Sequence, residues 1–373
     1  MARSTTAADG NGRADGRVRL IDLARLAGVT PSVVSAVLGG RAGDGPGTGS
    51  GTVRVGAATA ARIHALAARL GYRPDAAAQA LKGCPSTVIG VLIGAESTLA
   101  NYERLAAVER LADERGHRLM IGQLHDDPAR TADYLRDFRA RGIAALLCFH
   151  NPAPRCDAVL RNLFREFLPA DAPLGHAHGL VFQTHSPIRG AHVVDVDRAE
   201  GVRQAVAHLL AQGRRRLALV LNAPPAADPL MADRWQGFIA GLAEAGRKPN
   251  PRRVWHGDGT FPPVPEQAAA AVRAVVDAGG ADAIIASNDI WAMALLRILR
   301  RRGRAVPDNV AVIGMDNLYA AALFDPALTT IGQNNAAFAR AVLDLLVPPA
   351  GGAPIPPGQH ITVPPELVLR ETG

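Results

Sequence analysis

The sequence predicts an all-α helix-turn-helix head joined to an α/β core built from two parallel-sheet lobes. Three observations predict it. Two short helical patterns meet at a glycine near residue 28, strands and amphipathic helices alternate from residue 87 onward, and excess positive charge is confined to the first fifth of the chain. At 373 residues the chain is too long for one ordinary core and suits two or three domains.

Charge separates the two parts. Residues 1–83 hold 11 Lys and Arg against 5 Asp and Glu, which leaves 30 against 29 in the remainder. A basic head on a neutral body is the electrostatic footprint of a polyanion-binding module. No apolar run reaches the roughly 18 residues of a membrane span. Residues 1–16 lack the apolar stretch of a secretory signal, so they read as a disordered leader and the chain as cytoplasmic. Cys84, Cys148 and Cys156 lack the paired spacings of a zinc site or a disulfide framework and read as reduced structural thiols.

Within VRLIDLARLAGVTPSVVSAVL (18–38), Leu20, Leu23, Ala24 and Ala27 follow helical spacing and Gly28 stops the helix. Thr30 is a natural N-cap and Pro31 suits the first helical position, so a second helix runs to about Leu38. In a helix-turn-helix, Val29, Val34 and Val37 then pack inward, while Pro31, Ser32, Ser35 and Ala36 face a major groove. A Gly-rich stretch, 39–51, precedes a third helix with the stripe Ala60, Ile63, Leu66, Ala67 and Leu70, ended by Gly71.

The wording DLARLAGVTPSVVSAVL, ARIHALAARLGYRPD, AAAQALKG and the switch to IGVLI at Ile89, in that order, resembles the lactose/galactose-repressor (LacI/GalR) family. The resemblance implies a homodimeric repressor whose two heads read the halves of a pseudo-palindromic operator. It implies DNA contacts from Thr30, Pro31, Ser32, Val33, Ser35, Ala36 and Tyr72, and from Ala78, Leu81 and Lys82 in a hinge that folds on DNA. Leu81 matches the leucine that wedges between base pairs of the minor groove. The implied division is a leader (1–16), a head (17–73), a hinge and linker (74–86) and a periplasmic-binding-protein-like core (87–373). Within that core the N-lobe covers about 87–190 and 333–347, and the C-lobe about 191–332 and 348–373. The chain departs from the family at Ala36, where an Arg is usual, and at Arg19, Gly39 and Asp75. With Ser32 and Ser35 as its polar tips, the second helix offers few bidentate partners, which gives DNA shape and phosphate contacts more weight.

In open parallel sheets ligands bind beyond the carboxyl ends of the strands. Those ends deliver Asn288, Asp289 and Asp316, and Gln333 lies where the chain crosses back between lobes. Arg234, in DRWQGF, matches the family's effector-binding arginine, and Asn101 with Tyr102 matches a family Asn-Pro-Phe position. An arginine among amides and carboxylates suits a sugar-like effector, because each hydroxyl both donates and accepts. Asn288 and Asp289 also sit where a helix wants an N-cap. Trp291 and Phe261 suit either a sugar ring or the core. Asp195 and Asp197 read as structural rather than catalytic, and the scattered histidines, including His176 and His178, have no metal-ligand spacing.

No catalytic motif, cofactor loop or metal-ligand set is present, so the expected protein is not an enzyme. A transport-type solute-binding protein shares the two-lobed core but not the basic head, and an effector-independent regulator is the other alternative. The Pro-rich 348–357 stretch and a final strand near 361–369 leave no leucine-heptad tetramerisation helix.

Overall fold

The computed structural model describes residues 18–39, 42–43, 53–72, 86–94, 99–125, 127–149, 156–168, 179–184, 186–348 and 355–373. The leader, most of the Gly-rich stretch, Cys84, His150, His176, His178, His185 and the hinge residues Ala78, Leu81 and Lys82 lie outside them. The chain divides into two units, residues 1–84 and 85–373.

The first unit holds helices α1 (Leu20–Ala27), α2 (Pro31–Leu38) and α3 (Ala57–Arg69), with a parallel pair of two-residue strands, β1 (Ala42–Gly43) and β2 (Val53–Arg54). Arg19 occupies the N-cap of α1, and its backbone N–H donates to Asp22 Oδ2 at 3.0 Å, a one-sided capping arrangement that holds the Asp22 carboxyl below its usual pKa. Gly28 ends α1 with φ 64°, and the Val29 N–H reaches back to Ala24 O at 3.0 Å. That turn sets α1 and α2 at 103°, within the range of a helix-turn-helix. Leu23, Ala24, Ala27, Val34, Val37, Val55, Ile63 and Ala67 form the core, and Arg62 Nη2 donates to Ala27 O at 2.8 Å, capping α1 from α3. Among the described residues this cluster of eight side chains is small, and each large one removed costs about 2–5 kcal/mol.

The second unit contains two six-stranded sheets. The first runs β4 (Arg118–Gln123), β3 (Val88–Ile93), β5 (Ala145–Cys148), β6 (Gly179–Gln183), β7 (His192–Val196), β13 (His360–Val363), all parallel. The second runs β9 (Val254–His256), β8 (Leu217–Leu221), β10 (Ala283–Ala286), β11 (Ala311–Asp316), β12 (Thr329–Gly332), with β14 (Glu366–Val368) antiparallel at the edge. Central strands such as LALVL are buried at every position, as parallel strands covered on both faces must be.

Helices α4 (Leu99–Glu114) and α12 (Asn335–Leu346) cover one face of the first sheet, and α5 (Pro128–Ala140) and α6 (Ala158–Arg165) cover the other. The second sheet lies between α7 (Arg198–Ala211) with α8 (Pro229–Glu244) and α9 (Pro265–Val272) with α10 (Asp289–Arg301). A π turn, Arg273–Ala278, extends α9, and the short α11 (Tyr319–Leu323) follows β11. Helices α7 and α8 approach so closely that a Cβ on Gly237 would overlap the backbone carbonyl of Ala199.

Two boundaries differ from the sequence expectation. Strand β7, assigned to the C-lobe, pairs with β6 in the first sheet, and the crossover comes after it, where Asp197 caps α7 by accepting from Glu200 N at 2.9 Å. The expected last strand is two strands in different sheets, because Pro364 and Pro365 cannot donate to a ladder and break it. Its first half, β13, completes the first sheet. Cys148 and Cys156 are free and buried.

Candidate functional site

Two places carry the residues singled out above. On the head, Thr30, Pro31 and Ser32 are exposed, and Val33, Ser35 and Tyr72 are half-buried. Thr30 stands at the N-cap of α2, but its hydroxyl bonds the Ser32 hydroxyl at 2.8 Å rather than a backbone N–H. Ala36 is buried, so its methyl is not offered to a groove as the periodicity implied. With Val34 and Val37 it makes up the buried residues of the helix. Arg19, Arg25 and Arg69 add exposed positive charge beside the helix pair.

In the core, the polar residues converge where the chain passes between the two sheets. Arg234, on α8, is buried; its Nε donates to Ser287 O at 2.8 Å and its Nη1 to Leu230 O at 2.7 Å. Those two bonds fix the guanidinium at the carboxyl end of β10. Burial and the nearby Arg198 lower its pKa to about 10. Asp316 ends β11 with φ 123°, followed by Asn317 at 55°, a strained turn of the kind held in place at binding sites. Burial raises its carboxyl to about 6 despite Arg234 and the amide of Gln333, which donates to it. The carbonyl end of that amide accepts from Arg104 Nη2. Arg104, Gln333 and Asp316 are thus one chain of hydrogen bonds from α4 in the first lobe to β11 in the second.

Two of the predicted contacts serve the scaffold. Asn288 caps α10, accepting from Trp291 N at 2.9 Å, and leaves its side chain half-buried. Asp289 is fully enclosed, accepting from Leu318 N at 2.8 Å and Thr330 Oγ1 at 2.5 Å, and so cannot touch a ligand. Burial, reinforced by Asp316, raises its carboxyl to about 8. Trp291 is a core residue, with Nε1 donating to Asn222 Oδ1 at 3.0 Å and its ring tilted on Trp255. On α4, Asn101 is half-buried and Tyr102 exposed.

The inward residue of α4 is Arg104, which the sequence reading missed. It is 1% exposed, lies 4.6 Å from the Phe338 ring centroid, and keeps Nη1 buried without a partner. Burial, then the charge of Arg198, lowers its pKa to about 9. The signal was its register: Ala100, Arg104, Val108 and Ala112 recur every fourth residue on the buried stripe. Arg198 was missed too. It is 3% exposed and donates to Asp195 Oδ1 at 2.5 Å and Val196 O at 3.2 Å. Gln183, ending β6, holds Oε1 buried and unpartnered.

A family model described as a periplasmic binding protein-like domain matches residues 206–372. The chain is 28% identical to the HTH-type transcriptional regulator CelR of Thermobifida fusca, covering 94% of this chain and 97% of that one. It is 26% identical to the HTH-type transcriptional regulator GalR of Escherichia coli, covering 94% of each. Among solved structures it is similar to a CelR–cellobiose complex, with TM-score 0.61, 24% identity and coverage of 96% and 100%. It is similar also to the Lac repressor dimer bound to operator and the anti-inducer ONPF, with TM-score 0.69, 22% identity and coverage of 95% and 99%. With a helix pair at 103° preceding a two-sheet core, the chain is similar along nearly its whole length to helix-turn-helix transcription regulators, CelR and GalR among them.

Proposed function

We propose that this regulator is a repressor, binding a pseudo-palindromic operator as a homodimer and releasing or gripping it according to a polyhydroxylated small molecule held between the lobes. The observation that carries the reading is the buried chain Arg104–Gln333–Asp316. It places hydrogen-bonding groups of both lobes at one point, so a ligand that completes or breaks the chain has different affinity for different lobe angles. Arg234 and Asp316 offer the donors and acceptors that sugar hydroxyls need. The relatives whose names state a sugar or an operator support the same pairing of functions.

For the dimer, the support is a groove of about 870 Å³ along α10, where Met293, Leu296 and Phe324 lie beside a rim of Arg297, Arg300 and Arg301. For the reading face, it is the exposure of Pro31 and Ser32 at the start of α2. Genomic footprinting with the purified full chain tests the function as a whole. Protection of discrete, two-fold symmetric sites, altered by a metabolite of the flanking operon, is expected. Protection scattered without sequence preference would contradict it.

A further inference from the structure

The side chains that the core buries at the crossover are unbalanced in charge and incomplete in hydrogen bonding. Arg104, Arg198 and Arg234 are each at least nine-tenths buried. Arg198 is paired with Asp195. Of the carboxylates buried as deeply, Asp289 is pushed towards its neutral form by burial and spends both oxygens on Leu318 N and Thr330 Oγ1, which leaves Asp316 to face both Arg104 and Arg234. The half-buried Asp233 is pushed up by its own burial. Guanidinium groups that outnumber the carboxylates buried as deeply with them are costly in a dry site unless an anion joins them.

Among the described residues, Arg104 Nη1, Ser287 Oγ and Gln183 Oε1 are buried and unpartnered, as are Arg115 Nη1 and His208 Nε2. Ser287 and Gln183 close the carboxyl ends of β10 and β6, one in each lobe, and Ser287 is the residue whose carbonyl holds Arg234. A guanidinium hydrogen, a hydroxyl and an amide oxygen left bare match an oxyanion flanked by hydroxyl groups.

We infer that the effector is an acidic sugar, carrying a carboxylate or a phosphate ester beside its hydroxyls, with the oxyanion received by Arg104 Nη1. The inference rests on the reading that the cleft binds the effector. A neutral sugar leaves the uncompensated guanidinium in place, whereas an anion satisfies it with a charge-assisted hydrogen bond. Such a bond contributes about 1.5–3 kcal/mol, or about 10- to 100-fold in affinity.

Calorimetric titration of the full-length protein at constant ionic strength tests it. D-glucose and D-galactose are compared with D-glucuronate, D-galacturonate, D-glucose 6-phosphate and D-galactose 6-phosphate. At least one acidic member is expected to bind about tenfold or more tighter than its neutral parent. The uronate and phosphate arms separate carboxylate from phosphate as the recognised group. Arg104→Gln should bring the ratio to near one, while Arg104→Lys retains part of it. Should Arg104→Gln fail to fold, the wild-type ratio decides alone. A neutral parent binding as tightly as its acidic forms overturns this inference and leaves the regulator reading standing. Binding of no member overturns it together with the assignment of the cleft to sugars, while DNA binding, measured separately, remains a distinct question.

Discussion

Arg104 donates to the side-chain carbonyl of Gln333, and this bond ties a helix of the first lobe to the segment through which the chain returns from the second. The neighbouring residue repeats the tie, because Tyr319 N donates to Glu103 Oε1 at 2.9 Å. Both links run between α4 and elements beyond the carboxyl ends of the second sheet, so the side chains that join the lobes are the ones proposed to meet a ligand. A ligand at Arg104 therefore acts on the lobe angle directly, with no relay through the core.

Replacing Arg234 with Lys tests the ligand side of that arrangement. Lysine keeps the charge but not the fork that binds Ser287 O and Leu230 O at once. Affinity for the effector should fall about tenfold or more, while affinity of the ligand-free protein for operator duplex stays unchanged. Titration of ligand, followed by duplex anisotropy, reads both. An unchanged ligand affinity removes Arg234 from the site.

Asp289 supplies a pH dependence whose sign is fixed by burial. Its folded carboxyl titrates near 8 against an unfolded value of 3.8, so across that interval the native state holds a proton that the unfolded chain has lost. Its stability contribution is complete below about pH 4 and declines as the pH rises towards 8. Asp316, raised to about 6, declines in the same direction over a narrower window. Asp289→Asn keeps the shape of the neutral carboxyl and can still accept from Leu318 N. Thermal melting should show the variant close to wild type at pH 4 and increasingly more stable than it up to pH 8. Parallel curves from pH 5 to 9 would mean that Asp289 is ionised in the fold.

Gly237 and Ala199 fix how α7 meets α8, and thereby where Arg198 and Arg234 stand relative to one another. Adding a methyl forces backbone against backbone, so Gly237→Ala should lower stability by about 1–3 kcal/mol, read from the urea midpoint at constant slope. A midpoint equal to wild type would show that the two helices can part without cost.

Much of this was legible in the sequence. The two helices of the head, their break at Gly28 and the central strands of both sheets were readable because one residue class repeats at a single period. Arg234, Asp316 and Gln333 were singled out because they stand at strand ends or in a matched motif, and the fold buries all three at the crossover. Strand pairing was not, since β7 and β13 look like any apolar strand and only their neighbours assign them to a sheet. Asp289 looked like a ligand contact because a strand end places it there, yet Thr330 and the Leu318 N–H, 41 and 29 residues further on, enclose it. Arg104 and Arg198 were hidden for the opposite reason: an arginine on a helix is usually solvated, and only the packing around these two buries them.

Removing residues 1–84 tests the division into two units. The remainder holds both sheets and every residue proposed to contact a ligand, so it should stay folded and bind the effector with the affinity of the full chain. Circular dichroism and calorimetry check this, and an unfolded remainder would contradict it.

The central claim is that the head reads sequence. Fluorescence anisotropy of the full chain on a duplex from its footprinted site and on a shuffled duplex of equal composition, at physiological salt, measures it most directly. The account predicts affinity for the site at least about 1,000-fold above the shuffled duplex. Equal affinities for the two, with and without effector, would contradict it.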